Sequence, residues 1–226
     1  MSFWLPYRLG NRPRFLRRLL TGTGIGASTL ALAALCGACG SGKADAPVGI
    51  CKALPSSDLP GDLCNFTTET VTGLGQTHVA DCSAVSYPDN PPAGGNHYPE
   101  WAAFQSYSFP VPRGFWVHDL EHGAIVFSYN CCASSAGCAD EVAQVQAVID
   151  ALPEDPACST ATPRRVLLTP DPLLDVRWGV SAWGSTLRAD CVDTERFRQF
   201  YLDHFGRGPE DLCNAGTDFG GTRPCQ

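Results

Sequence analysis

The run His118-Asp119-Leu120-Glu121-His122 sets two imidazoles and two carboxylates between the apolar stretches of "FWVHDLEHGAIVF". His118 and His122 are four positions apart, which puts both rings on one side of the chain whether the segment is helical or extended. Glu121 joins that side only in a helical turn, because in a strand it points to the opposite face. A third imidazole, His97, stands in "YPDNPPAGGNHYPEW" (Tyr87–Trp101), a Pro- and Gly-rich loop. Its prolines reduce the entropy lost on ordering and so help to hold a side chain in place. Three neutral imidazoles suit zinc, copper, iron or nickel, and His78 or Glu121 is available as a fourth ligand. The sole methionine is Met1, at the start of the leader, so a thioether copper(I) site is excluded.

Two other readings of the same residues compete. A histidine pair beside a turn also serves to hydrogen-bond backbone or a neighbouring carboxylate, here Asp119 or Glu121. H-x-x-E-H is in addition a zinc-protease signature, but that chemistry needs the motif inside a helix and a third ligand on a following helix. Gly123 and the β-branched run "AIVFSY" directly after the motif end any helix at once, no plausible helix carrying the third ligand follows, and the protease reading is set aside. The fifth histidine, His204, lies beside the apolar stripe Phe197, Phe200, Tyr201 and Phe205 and is expected to be a packed or capping residue.

The elements that must position these residues follow from hydrophobic period. "GFWV" (Gly114–Val117) and "AIVFSY" (Ala124–Tyr129) are apolar β-type runs, the second continuous enough for a buried central strand. Val142, Val145, Val148, Ile149 and Leu152 follow helical spacing between Asp140 and Leu152. "RRVLLT" (Arg164–Thr169) reads as a strand and "PDPLLD" as a turn. Val176, Trp178, Val180 and Ala182 alternate with polar or small residues as in a half-buried strand. Asp193 caps a last helix that carries the Phe197–Phe205 stripe. The order β-β-α-β-β-α predicts a single α+β domain, a mixed sheet with helices packed on one face, with a loop-rich N-terminal half. The strands flanking the first helix are expected to be parallel and the next pair antiparallel.

The chain ends and the cysteines set the compartment. Residues 1–38 contain Arg8, Arg12, Arg14, Arg17 and Arg18, no acid, and a short apolar segment, the pattern of an export signal. Small residues before Cys39 and a Gly/Ser/Ala stretch after it match a lipoprotein processing site, in which Cys39 is lipidated. Residues 39–60 read as a flexible tether and 61–226 as the folded domain. Without Cys36 and Cys39, ten of the 12 cysteines remain, an even number expected to form disulfides that staple the loops. With five of 16 basic residues in the leader, 11 Lys and Arg face 23 acids over the rest of the chain. Such an acidic surface repels phosphate backbones and excludes nucleic acid as a partner. The expected location is the cell envelope, with a membrane as partner through the N-terminal lipid.

Five pieces in order, "THV" (His78), "PPAGGNH" (ending at His97) with Trp101, "VHDLEHGAIVFSY", "SAWG" (Ser181–Gly184) and "GPED" (Gly208–Asp211), resemble the bacterial family known as domain of unknown function 3105. The resemblance covers roughly residues 75–211. It implies that His78, His97, His118, Glu121 and His122 are a shared polar set, and it implies no activity. The sequence therefore supports first an exported, lipid-anchored envelope protein that binds or buffers a transition metal, zinc or copper, at His97, His118 and His122 with His78 or Glu121. The rivals are a metal-dependent envelope enzyme with Glu121 as acid/base and a metal-free interaction module.

Overall fold

Strands form where apolar and β-branched residues run together, and most of these strands are buried on both faces. The computed structural model describes residues 64–130, 138–220, 222, 224 and 225. The signal-peptide, tether and lipidation readings, and with them Cys39, lie outside the described residues, as do Cys51, Cys131 and Cys132. In chain order the elements are β1 (Phe66–Thr70), α1 (Arg113–Glu121), β2 (Ile125–Tyr129), α2 (Cys138–Asp150), β3 (Val166–Pro170), β4 (Trp178–Ala182), β5 (Ser185–Ala189) and α3 (Thr194–His204). The five strands make one mixed sheet in the order β1-β5-β4-β2-β3.

β2 and β3 pair in parallel through the α2 crossover, as expected, with Ile125 opposite Val166. β4 runs antiparallel, but it pairs with β2 and not with β3, Phe127 standing opposite Val180. The "PDPLLD" segment therefore carries the chain across β2 before it re-enters the sheet. β4 is also buried along its whole length and not half-buried. One face of it belongs to the main apolar core, and on the other a Cβ at Gly179 would stand 2.9 Å from the Pro91 ring.

The sheet separates two cores. On one face α2 and α3 pack Val145, Leu152, Phe197, Phe200 and Tyr201 against Ile125, Phe127, Trp178 and Leu187. On the other face α1 and the Pro-rich loop pack Trp116, Val117, Leu120, Tyr98 and Tyr107 against Val126 and Leu167. Asp193 caps α3 as expected, its carboxylate accepting from Arg196 N at 3.0 Å. The "GFWV" run, expected as a strand, is the middle of α1. That helix is buried on nearly every side, from Gly114 to Glu121, so it has no polar stripe to reveal the 3.6-residue period. β1 and β5 were not anticipated. The sequence of β1, Phe66-Thr67-Thr68-Glu69-Thr70, is wholly exposed and carries no apolar pattern.

Disulfides join Cys64 to Cys191, Cys82 to Cys225 and Cys158 to Cys213, and Cys138 is disulfide-bonded as well. All seven described cysteines are thus oxidised, which points to an oxidising, extracytoplasmic setting. Thiol titration of the unfolded, unreduced protein is expected to find at most about two free thiols, since cross-links of about 2–4 kcal/mol each favour complete pairing. Six or more free thiols would contradict this oxidised arrangement. Among the described residues no helix is long and apolar enough to cross a membrane.

Candidate metal centre

Helix α1 delivers two of the polar residues, and its stop signal sets their angle. Gly123 takes φ +80°, and the last turn closes with Gly123 N donating to Leu120 O (2.9 Å) and Ala124 N to Asp119 O (3.0 Å). These are the paired bonds of a Schellman motif, which needs a left-handed residue at this position. A side chain at 123 would also meet Gly206 Cα at 2.9 Å. The helix ends at Glu121, and His122 caps it. His118 and Glu121 are consequently three apart on one helical face. As expected, Gly123 and "AIVFSY" end the helix at once.

His97 approaches from the loop on the opposite side. Val79 N donates to His97 O (2.8 Å) and His97 N to Thr77 O (3.2 Å), a small bridge that sets His78 beside His97. The three rings of His78, His97 and His118 lie 4.9, 4.9 and 4.7 Å apart. One ligand atom from each of His78, His97, His118 and Glu121 falls within 4.8 Å of all the others, a group of a size that holds a metal ion. Three of the four are buried, and the His78 side chain is 51% exposed.

The ring nitrogens are sorted by the backbone. Nδ1 of His97 lies 2.7 Å from Gly95 O and Nδ1 of His118 2.7 Å from Tyr98 O, so in the neutral rings both protons sit on Nδ1. This leaves each Nε2 with its lone pair free, the outer hydrogen-bonding that accompanies metal-ligating histidines. The Gly95 carbonyl reaches its place through φ +131°, where a Cβ would stand 3.0 Å from the Tyr87 ring. Nε2 of His97 is 2.9 Å from Glu121 Oε2, yet it is out of line for a hydrogen bond and buried without a partner. Two acceptors facing each other at that distance repel unless a cation is shared between them. Burial pushes the pKa of His118 down to about 4, against the smaller raising effect of its bond to Tyr98, so at neutral pH this ring is uncharged, the form in which an imidazole can coordinate.

His122 stands outside the group, contrary to the expected trio of His97, His118 and His122. The i, i+4 spacing does bring its ring against His118, with centroids 4.6 Å apart. Ring contact does not aim the nitrogens at one point, however. Glu210 N donates to Glu121 O (2.9 Å) and Gly206 N to Gly123 O (2.8 Å), which seats the "GPED" loop on the helix end. Nε2 of His122 then faces Glu210 Oε2 at 3.3 Å. Burial lowers the His122 pKa while Glu210 raises it. Asp119 is fully buried, and burial lifts its carboxyl well above the usual range; it takes no part in the group. His204 packs on Phe200 with ring centroids 4.4 Å apart, as expected.

Sequence reasoning did not assign Trp183, Glu210 or Arg165. Trp183 stands edge-on to His97 at 6.3 Å, and Trp101 lies against His118 at 5.2 Å and His122 at 4.7 Å. Arg165 donates to His122 O at 2.7 Å. The signal for two of these was present, since Trp183 is in "SAWG" and Glu210 is in "GPED", pieces recognised without a role.

Residues 78–215, more than half of the chain, match the family described as "Protein of unknown function (DUF3105)". No curated protein and no solved structure matches the chain.

Proposed function

The chain belongs to the family of proteins of unknown function DUF3105, and from that premise we propose that it is an exported envelope protein that binds or buffers a transition metal at His78, His97, His118 and Glu121. In this reading residues 1–38 are a signal peptide, Cys39 carries the lipid that anchors the chain to a membrane, 39–60 are the tether and 61–226 the working domain. The observation that supports the metal assignment is the gathering of one ligand atom each from His78, His97, His118 and Glu121 within 4.8 Å, with Nδ1 of His97 and of His118 held by backbone carbonyls so that Nε2 is left for an ion. Imidazole and carboxylate without sulfur favour a borderline divalent ion such as zinc or copper(II).

The His78 side chain is 51% exposed, so the group meets solvent on that side, which keeps an enzymatic role for Glu121 in view. Glu121→Gln separates the two. As a ligand, Glu121 is needed for affinity, and the variant is expected to bind zinc about tenfold or more weakly, since lesser outer contacts already cost 10–100-fold. A variant that keeps wild-type zinc affinity would remove Glu121 from the ligand set and leave it free to act as an acid/base. For the anchor, wild-type protein made in a host that processes lipoproteins is expected to begin at Cys39 and partition into detergent, and Cys39→Ser to release it. A soluble wild-type chain with another first residue would rule the anchor out.

A further inference from the structure

The four residues of the candidate centre are unequally held. His97, His118 and Glu121 are 0, 3 and 4% exposed and are fixed by α1 and by backbone carbonyls, whereas His78 lies on an exposed segment. Beyond its short bridge to His97, the Thr77 N bond to Asn96 Oδ1 (3.4 Å) and the packing of Val79 on the core, that segment is tied four residues later by the Cys82–Cys225 disulfide, which joins it to the C-terminal residues. Of the three disulfides with both partners described, this is the one whose two cysteines are both exposed; Cys191, in contrast, is 6% exposed, and Cys158 and Cys213 are partly buried. Cys82 and Cys225 are also the only described non-glycine residues at positive φ, +60° and +65°. That conformation is costly for a side-chain-bearing residue and is held by the surrounding connections, here the disulfide itself.

We propose that Cys82–Cys225 is a thiol-exchange site for a dithiol reductant, and that its opening frees the His78 segment and loosens the metal. The inference rests on the metal-binding reading of His78, His97, His118 and Glu121. One thiolate of the reductant attacks a sulfur of the bond, forming a mixed disulfide and releasing the other cysteine as a thiolate. The second thiolate of the reductant then attacks the mixed disulfide. Two electrons and two protons have passed to the protein, which holds two thiols, and the reductant leaves as its own disulfide. Both cysteines relax from positive φ. The His78 segment then loses its covalent tie and keeps only its bridge to His97, the Thr77 N bond to Asn96 Oδ1 and the packing of Val79, and the metal keeps the three buried ligands.

Two measurements on the full chain test this. Wild-type protein is incubated in graded reduced-to-oxidised dithiothreitol, trapped with an alkylating reagent and mapped by mass spectrometry. Cys82 and Cys225 should be labelled at a more oxidising ratio than Cys64, Cys158, Cys191 and Cys213, and labelling of any of those four first would overturn the assignment. Zinc affinity is then measured by chelator competition for oxidised wild type, Cys82→Ala/Cys225→Ala, and Cys64→Ala/Cys191→Ala as a control for general loosening. The first double variant should bind zinc about 10–100-fold more weakly, the range of outer supports around metal ligands, and His78→Ala added to it should cost little more. The control should keep wild-type affinity. If oxidised wild type binds no zinc, the metal reading fails and the switch with it. If wild type binds and the Cys82/Cys225 variant binds equally well, the switch alone is wrong.

Discussion

Apo-protein titrated with zinc or copper(II) is expected to take up one equivalent, and His97→Ala or His118→Ala to lower the affinity by at least about 100-fold, since outer supports alone are worth 10–100-fold. Each substitution removes a buried Nε2 whose orientation the backbone has fixed in advance through Gly95 O or Tyr98 O. Truncation leaves no nearby nitrogen to substitute, because the nearest spare imidazole, His122, is turned toward Glu210. His122→Ala is therefore expected to cost about tenfold or less, as the loss of a ring that supports His118. His204→Ala, on α3, should change nothing. Elemental analysis and competition titration at neutral pH decide the matter. Equal binding by wild type and the His97 and His118 variants would mean that the cluster is a structural unit that binds no metal.

The largest loss of stability is expected from Arg165→Ala. The Arg165 and Asp155 side chains are each 3% exposed and meet through Nε and Nη2 at 2.7 and 2.6 Å. Nη1 also donates to His122 O at 2.7 Å and to Asp211 Oδ1 at 2.5 Å. Arg165 is thus the point at which the start of β3, the end of α1 and the "GPED" loop are held together. Removing one member of a buried ion pair costs about 3–5 kcal/mol, because the remaining charge, here Asp155 with only the Ala157 N–H left to it, is buried without a counter-charge. For a chain of this size each kcal/mol lowers Tm by about 2–4 °C, so a fall of roughly 6–20 °C is expected. Arg165→Met/Asp155→Leu should recover most of it, because no uncompensated charge remains. Thermal unfolding of the two variants checks this, and an Arg165→Ala protein within about 1 kcal/mol of wild type would show that the pair carries no net stability.

Local chemistry made much of this legible before any coordinates. The parallel β2–β3 pair, α2 and the Asp193 cap of α3 follow from apolar period and a crossover of helical length, and His78, His97, His118 and Glu121 stood out as candidates from the clustering of histidines and the family resemblance. Two of the errors share one cause, which is that burial on every side erases periodicity; β1, by contrast, was missed because it is wholly exposed and has no apolar pattern. α1 was read as a strand because its Phe, Trp and Val are all enclosed, and β4 was read as half-buried because its second face is covered by a loop far away in sequence.

The sequence by itself determined which histidines and carboxylates are candidates for a metal, that cysteines pair in an oxidising setting, and where α2 and α3 lie. Tertiary structure alone decided which residues share a centre. Spacing along α1 brings the rings of His118 and His122 together, but the direction of a nitrogen depends on which carbonyl or carboxylate meets the other side of the ring. Those partners, Tyr98 O for His118 and Glu210 for His122, lie 20 and 88 positions away and come from a loop and from the C-terminal segment. Nothing in a run of five residues can specify contacts that arise only when the chain has crossed the sheet and returned.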